Sequence, residues 1–360
     1  MIKFLRILLL PVSILYGLII LVRNLLFDFN ILPSERFNLP IISVGNLVVG
    51  GTGKTPMTEC LIRLLKQDYK VATLSRGYGR KTKGFIVAST NVKSILIGDE
   101  PKQYKNKFPE IIVSVCEKRA EGIRTLMQNY HPEIILLDDA FQHRAVVPGL
   151  SILLMEYDSI DKMDFMLPSG NLREMKSGKK RADIIIVTKC PTELSLSERE
   201  KIRNSLHPKE HQKVYFSFID YNNFYRYINN EIDSSPSLLE MDVSEYSILI
   251  LSGIGNPQSF ANHLKKYVKE VVICFYMDHH YFIEKDIKDV GNKFNSISNP
   301  KKLVFTTEKD LMRLMDLPQE LLAAITPIYY VPITTKFFEE DEKNFNEQIL
   351  EYVRNSKANS

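Results

Sequence analysis

Lys54 and Thr55 close a run of small residues, Gly50-Gly51-Thr52-Gly53, whose types and order suit the holding of phosphate. A short apolar run (Ile41, Ile42, Val44) leads into it, and a helical pattern follows. Glycines let successive backbone N–H groups converge on an anion at a helix N-terminus. Lys54 then reaches the β- and γ-phosphates, and the Thr55 hydroxyl ligates Mg²⁺. Binding of a nucleoside triphosphate with Mg²⁺ is therefore expected at Gly50, Gly51, Thr52, Gly53, Lys54 and Thr55. The generic phosphate loop has a further glycine at position 48, where this chain has Val48, and the partition-type variant has a lysine where this chain has Val49. The anion cradle survives both departures.

Further along, Glu133-Ile-Ile-Leu-Leu-Asp138-Asp139 is an apolar strand ending in acid. A carboxylate at such an edge holds Mg²⁺ or its water shell when a phosphate loop lies beside it. Ala140-Phe141-Gln142-His143-Arg144 follows directly and adds a polar cluster. Transfer to an alcohol also needs a carboxylate or imidazole near the attacking oxygen, and cations on the moving group. By residue type the candidates are Asp99 and Glu100 in IGDEP, Arg119 in EKRAEG and His279 in MDHHYF. Spacing alone does not decide among them. Glycine before an acidic pair is ordinary turn chemistry, and Arg119 also fits an exposed helix.

These residues need a scaffold, and 360 residues with 44% hydrophobic and 25% charged side chains supply one with room for two domains. A net charge of +4 is too mild to argue for nucleic acid. The basic residues cluster at Arg76, Arg80, Lys81 and Lys83 and again at Arg173, Lys176, Lys179, Lys180 and Arg181, which suits an anionic substrate or membrane surface as well as a solvated face. Four scattered cysteines without a CxxC pair argue against zinc and disulfides. Apolar positions Met57, Cys60, Leu61, Leu64 and Leu65 mark a helix over 56–67 with one buried face. Strand-like runs at 71–75, 111–115, 133–137, 151–155 and 183–188 alternate with helical stretches, the pattern of a doubly wound parallel sheet. A second, smaller α/β set follows at 247–252, 271–276, 302–306 and 327–331. The expected domains are 1–28 as a membrane-associated N-terminal helix, 29–212 as a P-loop NTPase-like domain, 213–231 as a hairpin linker and 232–354 as a smaller C-terminal α/β domain. The charge-free run Ile7–Val22 is flanked by Lys3, Arg6 and Arg23 and interrupted by Pro11, and it is shorter than the ~20 residues that span a bilayer. It reads as monotopic, apolar all round, with no signal-cleavage pattern behind it.

The combination VGNxxVGGTGKTP, SRGYGRK (75–81), GDEP (98–101), DDAFQHR (138–144), LPxGxLRE (167–174), GIGNPxxF (253–260), DHHxF (278–282) and TEKD (307–310) resembles the tetraacyldisaccharide 4'-kinase family of Gram-negative lipid A biosynthesis. The resemblance runs in family order from about residue 5 to 315. It implies a transferase that moves the ATP γ-phosphate to the 4'-hydroxyl of tetraacyldisaccharide 1-phosphate, giving lipid IVA, on the cytoplasmic face of the inner membrane. It further implies Asp99 as base with His279 as its partner, Glu100, Asp138 and Asp139 beside the metal, and Arg119 on the transferring phosphoryl group. Arg76, Gln142, His143, Asn171 and Arg173 resemble positions near the lipid headgroup. Many relatives have proline where this chain has Asn171, and the role of Glu308-Lys309-Asp310 stays open. The expected partners are the lipid and the membrane surface, with a monomeric chain and no nucleic acid. Two other readings fit the loop alone: a soluble P-loop ligase or ATPase with a buried N-terminal helix and a small-metabolite acceptor, and a non-catalytic, membrane-associated, nucleotide-dependent scaffold.

Overall fold

The computed structural model describes residues 6–221, 224–228, 231–233 and 243–358. In chain order its strands are β1 Ile41–Asn46, β2 Val71–Ser75, β3 Ile86–Val87, β4 Ile112–Val115, β5 Ile134–Asp138, β6 Leu150–Glu156, β7 Ile184–Thr188, β8 Lys213–Tyr221, β9 Tyr225–Ile228, β10 Glu231–Asp233, β11 Ser247–Ser252, β12 Glu270–Phe275, β13 Lys302–Thr307, β14 Ile328–Val331 and β15 Ile333–Phe337. They form a nine-stranded sheet in the order β15-β8-β7-β6-β1-β5-β2-β4-β3 and a six-stranded sheet in the order β10-β9-β14-β13-β11-β12. In the large sheet every pair from β8 to β4 is parallel, while β15 and β3 close the edges antiparallel. Strands such as β1 (IISVGN) and β7 (IIIVT) are buried along their whole length. Near-continuous apolar runs are what a parallel sheet covered on both faces demands. Helix Lys54–Leu65 covers one face through Met57, Leu61, Ile62 and Leu65. The doubly wound architecture with a smaller α/β partner is thus as expected.

The division of the chain differs from the expected boundaries. Lys213–Tyr221 does not turn back on itself as a linker hairpin; it is β8 of the large sheet, and β9 then enters the small one. The break at Asn222 and Asn223 lies outside the described residues. On the return path β14 pairs with β9 in the small sheet, and β15 pairs with β8 in the large one. Two antiparallel crossings, side by side, therefore connect the lobes. The C-terminal helix Glu339–Ala358 packs Phe345, Ile349 and Val353 into the large-lobe core, so residues from 333 onward belong there. Their apolar spacing of four is visible in sequence, but the partner of a strand is set by pairing across the fold.

Pro11 starts the N-terminal helix Leu10–Asp28 rather than interrupting it, because a first-turn residue needs no N–H partner. The helix is long and apolar enough to cross a membrane by length and composition. Only a narrow seam packs on the protein. Ser13, Gly17 and Phe27 are buried there, with Ser13 Oγ 2.8 Å from Ser169 Oγ, while Ile14, Leu15, Leu18, Ile19 and Val22 are exposed.

Candidate functional site

β1 ends at Asn46 beside β5, and the register sets Val44 opposite Asp138. This pairing brings the glycine loop after β1 against the acids that end β5. Gly53 caps helix Lys54–Leu65 with φ +89° and no side-chain cap, and Gly50 has φ +111°. Both conformations favour glycine, and a Cβ at Gly50 or Gly51 would meet no atom within 4 Å. The loop thus faces open space at the start of a helix, the end where unpaired backbone N–H groups are available to an anion. Asn46 Nδ2 donates to Thr52 Oγ1 at 2.8 Å, and Thr188 Oγ1 donates to the Thr52 carbonyl at 2.9 Å, so β1 and β7 both brace it. Thr55 follows Lys54 in the first turn and is half-buried.

Lys54 Nζ lies 3.8 Å from Asp139, whose carboxylate accepts both Arg173 Nη1 contacts at 2.8 and 2.9 Å. Burial opposes ionisation of Asp139, but Lys54 and Arg173 together lower its pKa. Its φ of +48° is unusual for a non-glycine residue and turns the side chain away from the line of β5. Asp138 faces inward instead and accepts from Tyr104 Oη at 3.0 Å. Burial, then the neighbouring charges of Glu100 and Asp139, push its carboxyl up to about 7. Such an acid favours a cation beside it. Among the described residues no three His, Cys, Asp or Glu side chains converge to hold a metal by themselves. Mg²⁺ commonly uses one or two carboxylates and completes its shell with water and phosphate oxygens, so the donor set fits that ion at a nucleotide site.

Arg119 opens helix Arg119–Asn129 and is 3% exposed. Its Nη1 donates to the Cys116 carbonyl, while Nε and Nη2 have no hydrogen-bond partner among the described residues. Burial lowers it to about 10 against the pull of Asp138 and Asp139. A buried guanidinium with unused donors is suited to an anion. His143 lies near it and is pushed down to about 4 by burial and then by Arg119, so it is neutral and able to accept as well as donate. Gln142 Nε2 donates to the Asn46 carbonyl at 2.8 Å, and Arg76 is exposed just after β2. Asn171 stands apart: its Oδ1 accepts from Arg6 Nη1 at 3.2 Å, on the side of the N-terminal helix. Much of the basic clustering is internal. Arg80 pairs with Glu117, Arg181 with Glu174, and Lys176 caps three carbonyls.

The second half of the site crosses between lobes. Asp99 begins helix Asp99–Lys107 of the large lobe, and its Oδ2 lies 3.0 Å from Nδ1 of His279 of the small lobe. His279 has φ +58°, and Tyr78 of the SRGYGRK motif tilts against its ring at 4.7 Å between centroids. Burial acts to raise the Asp99 carboxyl, but Lys309, the hydrogen bond from His279 and Arg313 outweigh it and hold Asp99 well below the ordinary carboxylate range. Lys309, Arg313, Tyr78 and Tyr104 were not among the sequence candidates. For Lys309 the TEKD motif was the available signal. The interface that supports this contact packs helix Asp99–Lys107 on helix Glu308–Leu314. Lys102 Nζ reaches Asp316 Oδ1 at 2.7 Å and the Met312 carbonyl at 2.8 Å, and Ser94 N and Oγ both donate to Asp316 Oδ2. Gln103 and Lys107 each bridge Glu59 and Glu308.

A profile of the tetraacyldisaccharide-1-P 4'-kinase family matches residues 5–354. The chain is 46% identical over 361 residues to the tetraacyldisaccharide 4'-kinase of Flavobacterium psychrophilum, covering 99% of each chain. It is 42% identical to that of Bacteroides thetaiotaomicron, covering 97% of this chain and 94% of the relative. Among solved structures it is similar to LpxK of Aquifex aeolicus in complex with ATP, with a TM-score of 0.71 and 29% identity over 97% of this chain and 99% of that one.

Proposed function

The chain belongs to the tetraacyldisaccharide-1-P 4'-kinase family, and we propose that it transfers the γ-phosphate of ATP to the 4'-hydroxyl of tetraacyldisaccharide 1-phosphate, giving lipid IVA in lipid A biosynthesis. The observation that carries this reading is a chain of charges beside the open glycine loop, running from Lys54 to Asp139 and Asp138, from these to buried Arg119 and Glu100, and from Glu100 through Lys309 to the interlobe Asp99–His279 pair. The loop N–H groups and Lys54 hold the donor phosphates. Thr55 and Asp138, supported by Glu100 and Asp139, would hold Mg²⁺, which neutralises charge on the phosphates when bound. Arg119 turns its unused donors to the transferring group. Asp99 accepts the proton of the 4'-hydroxyl as that oxygen bonds to the γ-phosphorus, the bond to the β–γ bridging oxygen breaks, and ADP leaves. Phosphoryl transfer asks chiefly for positioning and charge stabilisation, so an ionised, well-aimed acceptor serves even when its basicity is low.

On the acceptor side Arg76, Gln142, neutral His143 and Arg173 offer donors to the phosphorylated sugar. Asn171 would serve from the loop that faces the N-terminal helix, where Tyr16 Oη of that helix also donates to the Arg173 carbonyl at 3.1 Å. The exposed apolar face of that helix supports a monotopic seat on the cytoplasmic face of the inner membrane. The test is a mixed-vesicle assay with γ-labelled ATP and tetraacyldisaccharide 1-phosphate. Label on the lipid 4'-position is expected. Label released only as inorganic phosphate would overturn the reading.

A further inference from the structure

Tyr104 is fully buried on helix Asp99–Lys107, and its Oη donates to Asp138 Oδ2 at 3.0 Å. We propose that Tyr104 is a positioning residue for the metal of phosphoryl transfer, its phenol fixing the Asp138 carboxylate so that an oxygen is left for Mg²⁺ or a water of its shell. The inference deepens the kinase reading above and rests on its assignment of Asp138 to the metal. A phenol has one donor proton, and beside an ionised carboxylate it donates. Asp138 is itself 1% exposed, so its oxygens answer to the protein and to what the site binds. Oδ2 is committed to Tyr104. Oδ1 has a longer contact, from Thr58 Oγ1 at 3.5 Å, the outer limit of a hydrogen bond, and keeps acceptor capacity.

The neighbouring acid shows why a phenol suits this place. Asp139 is paired with two cations, Lys54 and Arg173, which offset its charge. Tyr104 is neutral, so it orients Asp138 and leaves the negative charge for a cation. Its own aim is set by the large-lobe core, where the ring packs in one cluster with Met57, Ile97, Phe108 and Val113. Packing alone would be met by phenylalanine, and the hydroxyl is matched by Asp138. Glu100 and Tyr104 lie four residues apart, on one face of the helix, so the helix brings a second acid and the donor together. Thr58 belongs to helix Lys54–Leu65, three residues beyond Thr55. The two helices that carry Glu100 and Thr55 thus meet at one carboxylate. Outer partners of this kind are worth about 10–100-fold in metal affinity or activity.

Tyr104→Phe keeps the ring and removes only the donor. In the full-length protein with a non-hydrolysable ATP analogue, Mn²⁺ binding, followed by the EPR signal of free Mn²⁺, is expected to weaken about 10–100-fold. Affinity for the analogue without metal should stay within about threefold of wild type, a split that a general loosening of the fold would not produce. In an Asp138→Asn background, Tyr104→Phe should cost less than about threefold more, since a residue acting through that carboxylate has nothing left to orient. Mn²⁺ affinity within about threefold of wild type, or equal losses with and without metal, would overturn the proposal. Should Tyr104→Phe not fold, 3-fluorotyrosine at position 104 retains both donor and shape. Its ¹⁹F signal is expected to shift when Mg²⁺ joins the complex of protein and analogue, and a signal that Mg²⁺ leaves unmoved would equally overturn it. Metal binding is read without an acceptor, so this inference is decided even if the lipid-labelling assay defeats the kinase reading. Label on the lipid with unaltered Mn²⁺ affinity in Tyr104→Phe would defeat this inference alone.

Discussion

The proposed donor side of the site, around the glycine loop, and the proposed acceptor side, around Asp99 and His279, are built in opposite ways. The donor side is local: Gly50–Thr55 is contiguous, and the Asp138–Asp139 pair comes alongside because β1 and β5 are neighbours in one parallel sheet. The acceptor side is assembled at long range, from Asp99 and His279, 180 positions apart on two lobes. Rigid neighbouring strands give the first a fixed shape. The second exists only while helix Asp99–Lys107 stays docked on helix Glu308–Leu314. One fold thus combines a preformed glycine-loop cradle with an aspartate–histidine pair that depends on an interface, and perturbing the interface should harm only the second.

The largest effect separates the two sides from the donor end. Lys54→Ala is expected to cut lipid labelling at least about 10²–10³-fold, as losing a charge-stabilising donor does, while leaving the His279 ring NMR signals unmoved. Labelling within tenfold of wild type would mean that the loop is not the donor site. Next, Asp99→Ala should lower kcat about 10²–10⁴-fold with nucleotide affinity nearly unchanged. The double variant with His279→Ala should be little worse than Asp99→Ala alone, and independent effects would break the pairing.

The interface comes third. Asp316→Ala leaves buried Lys102 without its carboxylate partner and removes an acceptor for two Ser94 groups. Breaking such a buried pair costs about 3 kcal/mol, which urea unfolding would read. Its kcat should fall while nucleotide affinity holds; equal losses in both would erase the distinction between the two sides. The smallest effect is pH-dependent. Burial and the neighbouring Glu59 raise Glu308 from its ordinary value of 4.5 to about 7. A raised acid contributes stability that is whole below pH 4.5 and lost as pH rises through about 7. Wild-type Tm should therefore fall between pH 5 and 8 by about 2–4 °C more than that of Glu308→Gln. Parallel Tm profiles would remove Glu308 from the account.

Read along the chain, the two sides were unequally legible. GGTGKT carries its function in contiguous residues, because a glycine turn and a helix N-terminus suffice to bind phosphate. Asp99 and His279 were visible by type, yet only the family resemblance joined them. Lys309 could not be ranked at all: a lysine after a strand has no chemistry until its partners are known. Asn171 shows the converse, a motif position that the fold turns toward the N-terminal helix. The domain limits failed at β8 and β15 for a related reason, since strand order comes from pairing between segments far apart.

What the sequence determined by itself was the class of scaffold, the phosphate loop, the acidic end of β5 and the apolar N-terminal helix, all set by local patterns of period, charge and turn chemistry. Only the tertiary structure decided which acid meets which base. It gave Asp138 and Asp139 different environments, left Arg119 buried with donors to spare, and brought Lys309 and His279 to Asp99 across the lobes. Those outcomes depend on burial and on distances between remote residues, and neither is written in any short stretch of chain.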